Sequence, residues 1–330
     1  MKFFKKVIKW IEGLYYSYTF DGGFHKEEQE LERAFYLHNN SCKGIKNQTI
    51  IAMVDGRVVH GGLSDRIRGI VSLYGYCKEK NIPFKLHYVH PFHLEEYLQP
   101  ADYDWRISQD QISYHPSEAI PVLLTCDRLP NKHHRRYLDQ VLKKNPHKQI
   151  HIYTNTQFLD KDFTKNFSEM FSPSPKIKLL VNQYAAQGND NFISMTFRFQ
   201  QLLGDFKEEG CKILSKEEQE ALIGKCMEKA DYIRKTFHPD SKVLLTSDSV
   251  SFVERFCKEK DYAFSIPGEV VHIDYTPNAS YEIYAKTFID MLTLSKAKKI
   301  YLLRTGEMYR SGFGKRASKI SGVDFEEIAF

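Results

Sequence analysis

Little in this sequence is arranged for metal or disulfide chemistry. Its 330 residues include six cysteines, Cys42, Cys77, Cys126, Cys211, Cys226 and Cys257, with no CxxC pair and no metal-ligand spacing. That argues against a zinc-ribbon or disulfide framework and leads us to expect reduced thiols in a cytoplasmic protein. Long apolar runs are missing too. Nowhere do about 18 apolar residues follow one another, so no segment reads as a membrane-spanning helix. No dense Lys/Arg stripe with interleaved aromatics appears, which removes nucleic acid from the expected partners. A three-glycine dinucleotide fingerprint is absent, and Gly314-Lys315 runs on to Arg316 rather than to the Ser/Thr of a phosphate loop. NAD-dependent and P-loop chemistry are both disfavoured.

What is present is mildly basic and aromatic. Lys and Arg number 47 against 42 Asp and Glu, a net charge of +5, which favours a phosphorylated ligand or an anionic surface. Aromatics make up 14% of the chain, with 20 Tyr and 23 Phe. Most of these belong to a core, and the remainder suit sugars and bases. Residues 1–16 alternate Lys2, Lys5, Lys6 and Lys9 with Phe3, Phe4, Val7, Ile8, Trp10, Ile11 and Leu14. This is a basic amphipathic helix pattern without a cleavage site. A helix packed on its own domain and a peripheral contact with the inner face of a membrane both remain open.

Apolar strands alternate with helical patterns. Thr49–Val54 reads as a strand, followed by a Gly61-Gly62 turn and a helix from Ser64 to Lys80. Further strands are read at 84–89, 122–124 and 149–153, and in the second half at 192–199, 242–246 and 299–303. Helices are read near 216–236, 250–257 and 280–292. This grammar predicts an α/β protein of two parallel-sheet domains with a cleft between them. Ser172-Pro173-Ser174-Pro175 interrupts the pattern, and the expected division is 1–185 and 186–330.

Five places combine a strand end with polar or small residues. Gly61-Gly62-Leu63-Ser64-Asp65-Arg66 opens a helix, where glycines admit a ligand and the helix N-terminus favours an anion; a simple helix cap is the alternative. Arg198 ends an otherwise apolar strand, and a guanidinium there needs a phosphate or a structural carboxylate. Thr246-Ser247-Asp248-Ser249 lies at a strand end before a helix, as a ligand contact or an N-cap. Asp290 sits in Phe288-Ile289-Asp290-Met291-Leu292, where an unpaired carboxylate is costly; the two N–H donors of a guanine edge would satisfy it, and an acid on the helix surface is the alternative. Arg310-Ser311-Gly312-Phe313-Gly314 offers amides and a hydroxyl to a phosphate before a helix.

The order of these motifs over residues 191–323, with the turn near 61, resembles the superfamily of nodulation-type α-1,6-, protein O- and bacterial α-1,2-fucosyltransferases. That family carries a His-x-Arg strand, matched by Thr196-Phe197-Arg198 with threonine at the histidine position. A strand ending in Ser/Thr-Asp is matched by Ser247-Asp248, and a guanine-reading aspartate by Asp290-Met291-Leu292-Thr293-Leu294-Ser295. The family's Ser-x-Phe-Ser is matched by Ser311-Gly312-Phe313-Gly314, with glycine replacing the last serine. Its Gly-Gly-x-Gly-Asn turn resembles Gly61-Gly62-Leu63-Ser64-Asp65.

The resemblance implies a GT-B fold of two Rossmann-like domains facing a cleft. It also implies an inverting, metal-independent glycosyltransferase, with GDP-fucose as donor substrate, no cofactor, and a glycan or lipid-linked glycan as acceptor, in a setting of polysaccharide assembly. Arg198 would stabilise the leaving diphosphate. Asp65 or Asp205 would handle the acceptor hydroxyl. Gly61, Gly62, Arg66, Thr196, Ser247, Asp248, Asp290, Ser311, Gly312 and Phe313 would form the donor site. The threonine at 196 keeps a non-catalytic nucleotide-sugar or glycan-binding module open as an alternative. Asp102-Tyr103-Asp104 matches the DxD of metal-dependent glycosyltransferases, but no apolar run precedes it. His87, His90 and His93 would ligate zinc only on a helix, which Pro91 interrupts.

Overall fold

The computed structural model describes residues 7, 26–37, 47–125, 131–157, 161–189, 191–206 and 212–330. The amphipathic stretch 1–16 lies outside them apart from Val7, as do Cys42, Cys126 and Cys211. Cys77, Cys226 and Cys257 are free thiols, and burial pushes each above the ordinary range.

The first unit spans Met1–Ser172. Its sheet is four parallel strands in the order β2-β1-β5-β4: β1 (Thr49–Val54), β2 (Phe84–Tyr88), β4 (Ala119–Leu124) and β5 (Gln149–Thr154). Every residue of β1, β4 and β5 is buried. That explains why these strands read as continuous apolar runs: a parallel sheet is covered on both faces. Helices α1 (Lys26–Phe35), α2 (Leu63–Lys80), α3 (Asn131–Lys144) and α4 (Phe163–Met170) accompany the sheet, and β3 (Leu98–Pro100) pairs with β6 (Phe171–Pro173) beside it. Helix α1 is fixed by a buried acid. The Glu28 carboxylate accepts the Leu123 N–H at 2.6 Å and the Tyr137 hydroxyl at 3.3 Å.

The second unit spans Pro173–Phe330. Its five parallel strands run β11-β10-β7-β8-β9: β7 (Phe192–Phe197), β8 (Lys242–Ser247), β9 (Ala263–Phe264), β10 (Lys299–Arg304) and β11 (Asp324–Ala329). Odd residues of β7, Ile193, Met195 and Phe197, join a core with Val243, Leu245, Tyr301 and Leu303. That core is closed by Cys226, Ala230 and Ile233 of α6 (Lys216–Phe237) and by Phe252 and Phe256 of α7 (Val250–Glu259). Phe197, Phe199, Phe252 and Phe256 make successive ring contacts at 4.9–6.1 Å. Both helices start on serine caps: Ser215 with Glu218 in a reciprocal capping box, and Ser249 accepting the Phe252 N–H. The even residue Thr196 faces α9 (Phe313–Ser321).

The chain divides between Ser172 and Pro173, ahead of the 185/186 boundary expected from sequence. Helix α5 (Pro175–Ala186) accounts for the difference. Pro175 initiates a helix rather than ending a domain, and the buried side chains on α5 belong to its packing with α8 (Tyr281–Leu294).

Candidate active site

In the second sheet the chain leaves the neighbouring strands β7 and β10 in opposite directions, to β8 and to β11; in the first, β1 leads to β2 on one side and β5 is reached from β4 on the other. The carboxyl ends of the strands at such a switch point are where open α/β sheets bind ligands.

In the second unit this edge is held by Asp248, just beyond β8. Its buried carboxylate accepts the N–H groups of Phe199 at 2.8 Å and Gln200 at 2.6 Å, and the Ser247 hydroxyl at 3.3 Å. It also lies 3.3 Å from Arg198 Nε. Burial pushes this carboxyl above the usual carboxylate range, against the pull of Arg198 and the amides. Asp248 therefore ties the end of β8 to the loop leaving β7. Arg198 is held along one edge by Asp248 and over the Phe206 ring at 4.4 Å. Its carbonyl accepts the Tyr309 N–H at 3.0 Å, which joins this loop to the one leaving β10.

The loop after β10 ends in Ser311 and Gly312, with Phe313 opening α9. Ser311 Oγ accepts the Phe313 N–H at 3.2 Å, and Ser311 donates its own N–H to Tyr309. Arg198 and the start of α9 are thus brought to the same switch point through Tyr309. A guanidinium and a helix N-terminus together make an anion-favouring edge.

Two residues expected here take other tasks. Thr196 is buried and donates its hydroxyl to the Tyr301 carbonyl at 3.1 Å. A Cβ on Gly314 would come within 3.2 Å of that hydroxyl, so the first turn of α9 sits directly on Thr196 and shields it from ligand contact. Asp205 Oδ2 accepts Ser249 Oγ at 2.8 Å, Ser251 N–H at 3.0 Å and Ser251 Oγ at 2.7 Å. It secures the start of α7, and that oxygen is already committed.

Asp290 lies on α8 with its carboxylate buried, and sequence reading had not supplied its partner. Lys286, one turn earlier, donates to Oδ1 at 2.6 Å and also to Oδ2. Burial raises the Asp290 carboxyl above its ordinary range while Lys286 opposes that shift.

In the first unit Gly61 adopts φ +83°, which glycine tolerates without strain, and Gly62 caps α2 through its backbone. Asp65 pairs with Arg68 at 2.9 Å, its side chain 40% exposed. Arg66 was expected to contact the donor. It is instead 2% exposed, with Nε donating to the Gly61 carbonyl at 2.9 Å and Nη1 to the His90 carbonyl at 2.8 Å and the Tyr88 hydroxyl at 3.1 Å. These bonds commit Nε and Nη1 to the glycine turn, to Tyr88 of β2 and to the chain just beyond it.

Sequence reading missed a cluster at the same edge. Asp55, the residue after β1, accepts the Tyr153 hydroxyl at 3.1 Å and lies 3.3 Å from Arg57. The Arg57 guanidinium stacks between Phe35 at 4.5 Å and Tyr114 at 4.2 Å. Beneath them Tyr36 OH meets His151 Nδ1 at 2.7 Å, and His151 Nε2 meets Gln149 Oε1 at 3.1 Å. A neutral imidazole protonated on Nε2 satisfies both bonds. Burial, reinforced by Arg57, lowers His151 to about 3. The findable signal was Asp55 itself, directly after an apolar strand.

Asp104, of the DxD-like triplet, pairs with Arg106 at 2.8 Å on the surface, and that bond holds its carboxyl down at about 2. His87 lies in β2 rather than on a helix. Among the described residues no three His, Cys, Asp or Glu side chains are grouped to hold a metal ion. Nor is any described helix long and apolar enough to cross a membrane.

No family model matches this sequence, and no curated protein does. Solved structures do. A mutant of Arabidopsis thaliana FUT1 in complex with GDP superposes with a TM-score of 0.54 at 12% identity, over 93% of this chain and 75% of that one. NodZ α-1,6-fucosyltransferase soaked with GDP-fucose gives 0.52 at 12% identity, over 83% and 92%. NodZ from Bradyrhizobium gives 0.52 at 12% identity, over 82% and 92%. The likeness is one of fold: the chain has the Rossmann-like α/β units of the GT-B fucosyltransferases.

Proposed function

We propose that this chain is an inverting glycosyltransferase that moves fucose from GDP-fucose to a glycan or lipid-linked glycan, without a metal. The observation that carries the reading is Arg198, held by Asp248 and joined through Tyr309 to the loop that starts α9. In a single displacement the acceptor oxygen attacks the anomeric carbon as the bond to the β-phosphate oxygen breaks. The electron pair leaves on GDP, and the acceptor proton passes to a base. Arg198, Ser311 and the amides of Gly312 and Phe313 would stabilise the charge growing on the diphosphate, in place of a divalent ion. Ser247 and Asp248 position this group. Asp290 would accept the guanine N–H donors.

In the first unit, Gly61, Gly62 and Asp65 remain the candidates for contact with donor and acceptor. Of the two aspartates expected as base, Asp65 is favoured because its side chain is partly exposed, whereas an oxygen of Asp205 is taken up at α7. Thr196 supports a second reading, a module that binds the nucleotide sugar without turnover, since a buried threonine stands where the resembling family has histidine.

GDP-fucose turnover against a glycan panel, with and without EDTA, separates these readings. Arg198→Ala should lower transfer by about a hundredfold, the effect of removing one oxyanion donor. GDP binding with no transfer to any acceptor favours the binding module. Activity that needs Mn²⁺ and disappears in Asp104→Ala overturns metal independence.

A further inference from the structure

The Lys286–Asp290 pair is poorly explained as a device for stability. Both side chains are more than nine-tenths buried, at 9% and 8% exposure. Ion pairs this far from water give back in desolvation much of what they gain by attraction. Their order along α8 is also the weaker one. A helix favours the acid N-terminal to the base, and here the lysine comes first, against the macrodipole.

The pair lies close to the ligand-binding edge. Gly268 follows β9 by a few residues and therefore leaves the sheet at the same carboxyl edge as Arg198. A Cβ there would meet Lys286 Cδ, Cγ and Cε at 3.3, 3.4 and 3.6 Å. Gly268 is exposed and has φ +124°, so bare backbone is what covers the lysine stem at this point. A planar ligand approaching over Gly268 meets no side chain at that residue, between Pro267 and Glu269.

The two groups carry a pattern. Lys286 Nζ is a donor, and the two oxygens of Asp290 are acceptors, all within one hydrogen-bonded unit. A donor beside two acceptors is the order presented by the edge of cytosine. Guanine presents the complement: O6 as acceptor, then N1–H and N2–H as donors. Adenine presents the opposite order at its first two positions, with an N6 amine facing the ammonium and the bare N1 facing the carboxylate.

We propose that Lys286 is a specificity-determining residue that swings from Asp290 to the O6 of a guanine base, so that lysine and aspartate together read its full edge. The inference rests on the reading that a GDP-sugar is the donor. It adds a contact on the opposite side of the base from the amine that Asp290 would hold. Without ligand, each group serves as the other's partner; with ligand, the base enters between them. The exchange keeps both charges satisfied and rejects adenine by leaving a buried ammonium against a donor.

The test is a binding titration of the full chain by calorimetry with GDP, 6-thio-GDP, ADP and UDP. Sulfur at position 6 keeps the N1–H and N2–H donors and weakens only the acceptor that Lys286 would meet. The wild type should bind 6-thio-GDP about tenfold more weakly than GDP, and ADP about a hundredfold more weakly, within the usual range for edge recognition. Lys286→Met should lose about tenfold for GDP, leave ADP unchanged and abolish the sulfur penalty. If the wild type prefers GDP to UDP yet binds 6-thio-GDP as tightly as GDP, Lys286 is a structural counter-ion and the proposal fails alone. The same holds if a folded Lys286→Met keeps the full GDP-to-ADP ratio. No preference for GDP over UDP brings down the donor reading and this inference together. Because the sulfur comparison uses unmodified protein, the proposal is decided even if the variant does not fold.

Discussion

The two units build their sheet edges from different chemistry. At the β1/β5 edge, bulky rings and titratable groups are bonded to one another: Asp55 to Tyr153, Arg57 between Phe35 and Tyr114, Tyr36 to His151. At the β7/β10 edge, Asp248 holds both the Arg198 guanidinium and two backbone amides, and the loop after β10 brings Ser311 and Gly312 to the start of α9. The tyrosines of the first edge are buried and bonded, which leaves Phe35 and Arg57 as its partly exposed groups, while a guanidinium beside a helix N-terminus suits a diphosphate at the second. One fold grammar thus yields two chemistries, because the specificity lies in the few residues after each strand and not in the strands.

The largest test of that contrast is Asp248→Ala. It removes the acceptor of one buried and one half-buried N–H group and the partner of Arg198 Nε, so urea unfolding should show a loss of about 3 kcal/mol together with weakened GDP binding. Arg198→Ala should cost about as much in the transition state for transfer, read as kcat/KM, while stability changes less.

A pH experiment should single out the first unit. His151 has a folded-state value of about 3 against an ordinary 6.5, because burial disfavours its charged form. Its folded pKa lies below its unfolded one, so the unfolded chain binds the extra proton. Stability is intact above pH 6.5 and falls as the pH drops towards 3. Between pH 6.5 and 5 the loss should be about 2 kcal/mol, seen as a falling Tm. Burial lowers His87 in the same direction. His151→Gln should flatten most of this slope; an unchanged slope would place the titration elsewhere.

The smallest effect is expected at Arg57. Removing its stacking in Arg57→Ala should cost about 1 kcal/mol, raise the acceptor KM several-fold and leave GDP affinity untouched. A fall in GDP affinity would show that the two edges are not chemically separate.

The strands were legible because a sheet covered on both faces demands unbroken apolar runs, and β1, β7 and β10 supply them. Strand β11 was not, since Glu326 and Glu327 put charges into an edge strand with a half-exposed pattern. Helix α5 was hidden by Pro175, whose ring starts a helix as readily as it breaks one. Arg198, Asp248 and Asp290 were legible as charged groups that need a partner, and each is found in an ion pair. Sequence could not say where the acceptors of a long side chain would fall. That is why Arg66, Thr196 and Asp205 were expected at a ligand and are found bonded to the protein. Lys286 escaped notice because one lysine in a helix reads as surface until its partner is seen.

The Arg66 bonds carry a mechanical consequence. One guanidinium grips the carbonyls of Gly61 and His90 and the hydroxyl of Tyr88, so the glycine turn and the chain leaving β2 are coupled as a single piece. Neither can open to admit a ligand while the other stays still. A flexible ammonium in Arg66→Lys lacks the planar fork that spans these acceptors, and it would let the turn breathe independently of its neighbour.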